Sequence, residues 1–222
     1  MKKYTTLLFD LDNTLLDFSL AERLCVKEVF KANNLPYDDA AANLYSEVND
    51  GYWKAYERGE IKAQDIYVNR FITFGERIGV KVDGEKLFAG YTSLLSKCCV
   101  KKPYCDEILE YCKENGYDVS VVTNGIAYNQ RNRIKLSGII NYISHIFISE
   151  ELGAQKPEKA FFDRALDILE EKDKSKILVI GDSVTSDIAG AINAGIDSCF
   201  IGEEACLSTY KIKNLKELTN II

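Results

Sequence analysis

Five short runs in this chain are apolar on both of the faces that a strand presents: TTLLFDL (5–11), YDVSVVT (117–123), HIFIS (145–149), KILVIGD (176–182) and SCFIG (198–202). A strand with one wet face alternates apolar and polar residues, so runs of this kind belong in a parallel sheet covered on both sides. Helical patterns lie between the later runs: ILEYCKEN before Tyr117, AYNQRNRIKLSG after Thr123, PEKAFFDRALDILEE after Lys156 and TSDIAGAINAG after Asp182. Gly116, Gly138 and Gly195 fall where helix C-caps are expected, and Pro157 suits a first helical turn. Strands alternating with helices predict an α/β fold built on a doubly wound sheet.

One interval breaks the alternation. From about Phe18 to about Val100 the chain carries only helical stretches, AERLCVKEVFKANN, AANLYSEVNDGYWKAYERG, AQDIYVNRFITFGERIG and GEKLFAGYTSLLSKC. That is too long for a single crossover between parallel strands. The expected organisation is therefore a core formed by residues 1–17 and 101–222, with residues 18–100 inserted as an all-helical domain of four helices.

Charge narrows the function. The 28 basic and 34 acidic residues leave a formal net charge of -6, which argues against a nucleic-acid polymer held by phosphate neutralisation. An anionic ligand must be held by a local site. Lys2 and Lys3 precede an apolar run that Asp10 and Asp12 soon interrupt, unlike a secretory signal. Nothing else approaches the roughly 18 apolar residues that a membrane span requires. The seven cysteines form no C-x-x-C pair and read as reduced thiols of a cytoplasmic protein. His145, the single histidine, reads as a strand-edge residue, and no G-x-S-x-G elbow accompanies it.

Ligands of open parallel sheets bind beyond the carboxyl ends of the strands. There the first strand offers Asp10, Asp12 and Thr14, the second Thr123 and Asn124, the loop after the third Lys156, and the fourth Asp182 with Asp187 soon after. Each alone could be a cap or a solvated charge; together they complement a cation and a phosphate. Alternation sends Asp10 and Asp12 to one side of the strand, where two carboxylates repel unless a cation sits between them. Oxygen ligands without histidine or thiolate point to Mg²⁺. One aspartate then remains for covalent chemistry: Asp10 attacks phosphorus, and Asp12 serves as acid and then as base. Lys156 offsets the negative charge, while Thr123, with Asn124 beside it, and nearby backbone N–H groups hold the transferring oxygens.

DLDNT with Asp10, Asp12 and Thr14, VVTNG with Thr123, the Lys156-Pro157 loop, and GDSVTSDIAGAINAG with Asp182 and Asp187 resemble the four ordered motifs of the haloacid dehalogenase superfamily. The resemblance spans nearly the whole chain. It implies a Rossmann-like core with strand order 5-4-1-2-3 and a helical cap inserted after the first motif. It further implies Mg²⁺ held by Asp10, the backbone carbonyl of Asp12 and Asp182, with Asp187 supporting that shell directly or through water. Asn13 stands where many relatives have glycine. The stretches EVNDGYWKAYERGEI and SHIFISEELGAQKPEKAFFDRAL resemble the branch of pyrimidine nucleotidases, 5′-nucleotidases acting on nucleoside monophosphates.

The expected activity is thus hydrolysis of a small phosphorylated metabolite, a nucleoside 5′-monophosphate (a pyrimidine one foremost) or a similar small phosphate monoester, by a Mg²⁺-dependent phosphomonoesterase working through an aspartyl phosphate. A metal-independent 2-haloacid dehalogenase and a phosphomutase remain alternatives of the same fold. A receiver-like phosphoacceptor is the non-enzyme alternative, although receivers carry the phosphorylated Asp on a later strand and have no inserted helical domain. Tyr52, Trp53, Tyr56, Phe71, Arg58 and Arg70 are the insert's candidates for reading a base, against the simpler role of core in a four-helix unit.

Overall fold

The structure is a computed structural model and describes residues 2–222. Contacts divide the chain into two compact units: Met1–Phe18 with Cys99–Ile222, and Ser19–Cys98. In chain order the elements are β1 (Thr6–Phe9), α1 (Phe18–Ala32), α2 (Asp39–Glu57), α3 (Ala63–Arg77), α4 (Gly84–Leu95), α5 (Cys105–Glu114), β2 (Asp118–Thr123) and α6 (Ala127–Leu136). There follow β3 (His145–Ile148), α7 (Ser149–Leu152), α8 (Lys159–Ile168), β4 (Ile177–Gly181), α9 (Ala189–Ala194), β5 (Asp197–Ile201) and β6 (Tyr210–Ile212).

The first unit holds one parallel sheet in the order β3-β2-β1-β4-β5-β6. This is the expected five-strand order extended by β6 at one edge. Three residues long, with only Ile212 buried, β6 carries too little pattern for its sequence to announce it. Alternation explains why the runs are apolar on both faces. Leu7, Phe9, Val119, Val121, Leu178 and Ile180 point into a core shared with Ile108 and Leu109 of α5 and Ile134 of α6. Leu8, Val122, Phe147, Ile177 and Val179 point into the opposite core, closed by Phe161 and Phe162 of α8 and Ala191 of α9. Burying each Leu, Ile or Phe contributes about 1.5–3 kcal/mol, so these two layers fix the register of the strand tips. Phe9 lies opposite both Val121 and Ile180, and the N–H of Asp10 still bonds the Ile180 carbonyl at 2.8 Å.

Gly116, Gly138 and Gly195 all adopt left-handed φ near helix ends, as expected of C-caps. Two local expectations differ. Pro157 lies just ahead of the N-cap Glu158 of α8, outside the helix's first turn. The helix after Asp182 opens with a π turn, Val184–Ile188, before α9 begins. Asp187 sits in that turn, and π turns recur where a helix re-aims a functional side chain.

The second unit contains the four expected helices. Asp38 and Asp83 cap α2 and α4, accepting from the N–H groups of Ala41 (2.8 Å) and Lys86 (3.0 Å). Its centre is aromatic: Phe30 stacks on Phe74 at 4.6 Å, Tyr45 lies 5.2 Å from Phe71, and Phe71 lies 5.7 Å from Tyr91. Phe71 and Tyr56 are therefore core of this unit, the simpler of the two roles weighed for them. Arg70 is also buried and donates to Asn49 Oδ1 at 2.7 Å. Asn49 and Ser46 in turn donate to the buried Glu22, at 2.7 and 2.6 Å. Tyr52 and Trp53 are half-buried, and exposed Arg58 pairs with Glu60 at 2.6 Å. Among the described residues no helix is long and apolar enough to cross a membrane, and none of the seven cysteines is joined in a disulfide.

Candidate active site

The strand tips gather the acids foreseen from the sequence. One carboxylate oxygen from each of Asp10, Asp182 and Asp187 lies within 4.8 Å of the others. Asp10 follows β1 directly, and Asp182 follows β4. Asp187 reaches the cluster because Gly181 leaves room for it: a Cβ at that position would stand 2.1 Å from Asp187 Oδ2. The Ser183 N–H donates to the same oxygen at 3.0 Å. Thr14, buried, donates to Asp182 Oδ1 at 3.3 Å. Asn13 supports the turn between Asp12 and Thr14 with φ of 61° and an N–H bond to the Leu16 carbonyl at 2.7 Å. Asn tolerates left-handed φ better than most residues, which suits it to this turn.

Lys156 neutralises part of this acidity. Its ammonium donates to Asp10 Oδ1 (2.7 Å), Asp187 Oδ1 (2.7 Å) and the Val122 carbonyl (2.9 Å), which uses all three of its protons. Burial opposes its charge, yet the Asp10 and Asp187 carboxylates outweigh burial and hold its pKa above lysine's ordinary value. Asn124 fixes this lysine: its Nδ2 donates to the Lys156 carbonyl at 2.8 Å, and its Oδ1 accepts from the Lys156 N–H at 2.9 Å. The Asn124 carboxamide is thus occupied in holding the lysine main chain.

Three carboxylates facing one ammonium leave the cluster acidic. Burial raises the pKa of Asp10 well above the carboxylate range; Lys156 works against that rise, and Asp187, Asp182 and Asp12 add to it. Burial and the neighbouring Asp187 push Asp182 up to about 7. A hard divalent cation would remove this strain, and the donors offered are all carboxylate oxygens without nitrogen or sulfur, so the residues present fit Mg²⁺.

The Asp12 carboxylate, expected to share a cation with that of Asp10, has protein donors of its own. Its Oδ1 accepts from Arg133 Nη1 at 2.5 Å, and its Oδ2 from Gln130 Nε2 at 2.8 Å. The same Gln130 nitrogen donates to the hydroxyl of buried Thr123 at 2.8 Å. Gln130 and Arg133 went unread in the sequence because a polar helix following a strand tip looks solvated. Their signal was the spacing: 130 and 133 share a helix face with Ile134, which must face the core.

Comparison with known proteins shows the family. The haloacid dehalogenase-like hydrolase profile matches residues 7–201, and the chain belongs to that family of hydrolases. It is 35% identical to the pyrimidine 5′-nucleotidase PynA of Streptococcus pneumoniae, over 88% of this chain and 82% of that protein. With the pyrimidine 5′-nucleotidase YjjG of Escherichia coli it shares 29% identity over 99% of this chain and 98% of that one. The crystal structure of the HAD-hydrolase YfnB from Bacillus subtilis, bound to magnesium, matches with a TM-score of 0.95 and 32% identity, covering 99% of both chains.

Proposed function

We propose that this protein is a Mg²⁺-dependent phosphomonoesterase acting on nucleoside 5′-monophosphates, with pyrimidine nucleotides preferred. The observation that carries the reading is the trio of carboxylate oxygens within 4.8 Å at the strand tips, joined to Lys156. The names of PynA and YjjG support the substrate class, and the magnesium bound to YfnB supports the metal. Asp10, Asp182 and the main-chain carbonyl of Asp12 would hold the ion, with Asp187 supporting. When bound, Mg²⁺ supplies positive charge that offsets nucleophile and phosphate together.

The chain's own residues perform the rest. Lys156 orients the Asp10 carboxylate and balances the charge that gathers as it nears phosphate. An Asp10 oxygen attacks phosphorus, the bond from phosphorus to the nucleoside 5′-oxygen breaks, and Asp12 gives its proton to that oxygen. Water then attacks the aspartyl phosphate and loses its proton to Asp12; the bond from phosphorus to Asp10 breaks, and inorganic phosphate leaves. Thr123 and the main-chain N–H groups at Asn124 hold the transferring oxygens. Catalysis belongs to the first unit and choice of leaving group to the helical insert, in a cytoplasmic setting that seven cysteines outside disulfides support.

Phosphate release should be measured across nucleoside monophosphates, sugar phosphates and 2-haloacids, with and without Mg²⁺. Nucleotide turnover that EDTA abolishes and Mg²⁺ restores supports the reading. Metal-independent halide release in place of phosphate release would overturn it.

A further inference from the structure

Asp12 differs from Asp10 and Asp182 in its surroundings. Its side chain is 25% exposed, whereas Arg133, which bonds it at 2.5 Å, is 1% exposed. Gln130 is equally enclosed and bonds the second Asp12 oxygen. Two donors on two oxygens stop rotation of the carboxylate about its Cβ–Cγ bond and leave only its outward lone pairs for a proton. The donors are themselves fixed. Arg133 Nη1 also donates to Gln130 Oε1 at 3.1 Å, and the Arg133 guanidinium lies 5.8 Å from the centre of the Phe18 ring. Gly125 leaves space for Gln130: a Cβ there would stand 2.9 Å from Nε2 and 3.0 Å from Cδ.

We propose that Arg133 and Gln130 are positioning residues that fix the direction in which Asp12 exchanges its proton, and that Gln130 registers this direction to the phosphate site through Thr123. The inference rests on the phosphatase reading above. A proton donor works only within about 2.6–3.2 Å of the leaving oxygen, so an acid free to turn is seldom in place. The consequence is specific to the leaving group. A nucleoside 5′-alkoxide must be protonated as it departs, whereas 4-nitrophenolate leaves without a proton.

The test compares kcat/KM for uridine 5′-monophosphate and 4-nitrophenyl phosphate in the full chain with Mg²⁺. Arg133→Met should lower the value for the nucleotide roughly 100-fold, the lower end of what acid–base catalysis contributes, and that for the aryl ester far less. Arg133→Lys should recover part of the nucleotide activity. Gln130→Leu and Gly125→Ala, which disturb the same arrangement without removing the buried cation, should show the same bias to a smaller degree. Placed in an Asp12→Asn background, Arg133→Met should add little further loss on the nucleotide. Equal losses on both esters across these variants, or full additivity with Asp12→Asn, would overturn the positioning role while leaving the phosphatase reading in place. An unmutated chain that turns over neither ester would overturn both.

Discussion

Each unit of this chain buries an acid in a network of polar side chains, and the two networks are resolved differently. In the parallel-sheet unit, Asp10, Asp182 and Asp187 gather beside one lysine, so carboxyl groups outnumber the cation that faces them. In the helical unit, Glu22 is alone. Ser46 and Asn49 donate to it, and Arg70 reaches it only through Asn49. Burial raises its pKa to about 7, with the hydrogen bonds from Ser46 and Asn49 and the more distant Arg70 opposing and Asp50 adding to the rise. On the proposed reading a cation completes the first network, whereas a proton completes the second. A buried charge cluster marks a binding site when its own residues leave it unbalanced, and a structural one when a shared proton suffices.

The largest effect should come from Lys156→Met. Removing the ammonium leaves Asp10 and Asp187 uncompensated, which costs about 3–5 kcal/mol of stability in metal-free protein, measurable by urea denaturation. Added Mg²⁺ should restore part of that loss, whereas turnover should stay abolished. Equal destabilisation with and without the metal would erase the distinction between the two networks.

Next comes the proton in the helical unit. Glu22 has a folded pKa of about 7 against an ordinary value of 4.5, so the folded state binds the proton more tightly. Its contribution is complete below pH 4.5 and is lost as pH rises to about 7, a change of about 3 kcal/mol. Trp53, the single tryptophan, lies in this unit and reports its unfolding by fluorescence. Glu22→Gln keeps the partners of Ser46 and Asn49 and should flatten that dependence. An unchanged pH profile in the variant would assign the effect elsewhere.

Gly181→Ala should act more gently. The added methyl displaces Asp187, for an overpacking cost of about 1–3 kcal/mol. It should also weaken the shift in thermal midpoint that Mg²⁺ produces. No such weakening would show that Asp187 supports Lys156 alone.

Much of this was legible in the chain. The five strands, the four-helix insert and the strand-tip residues follow from apolar runs and from where acids end them, because burial on both faces leaves little freedom of pattern; the order of the strands came only from the resemblance to the family. Less legible was whatever depends on side-chain direction. Asp10 and Asp12 alternate as a strand would, yet β1 ends at Phe9, and the Asp12 carboxylate is held by Arg133 and Gln130. The carboxamide of Asn124, read as part of the phosphate site, holds Lys156 by its main chain. Both outcomes hinge on partners far away in sequence, which no local window contains.

Acid-quenched rapid mixing of Mg²⁺-loaded protein with 5′-³²P-labelled uridine monophosphate tests most directly whether Asp10 takes up phosphate. The label should appear on the peptide containing Asp10, be released by hydroxylamine as expected of an acyl phosphate, and vanish in Asp10→Asn. Steady turnover of the nucleotide with no label on that peptide, or with undiminished activity in Asp10→Asn, would contradict it.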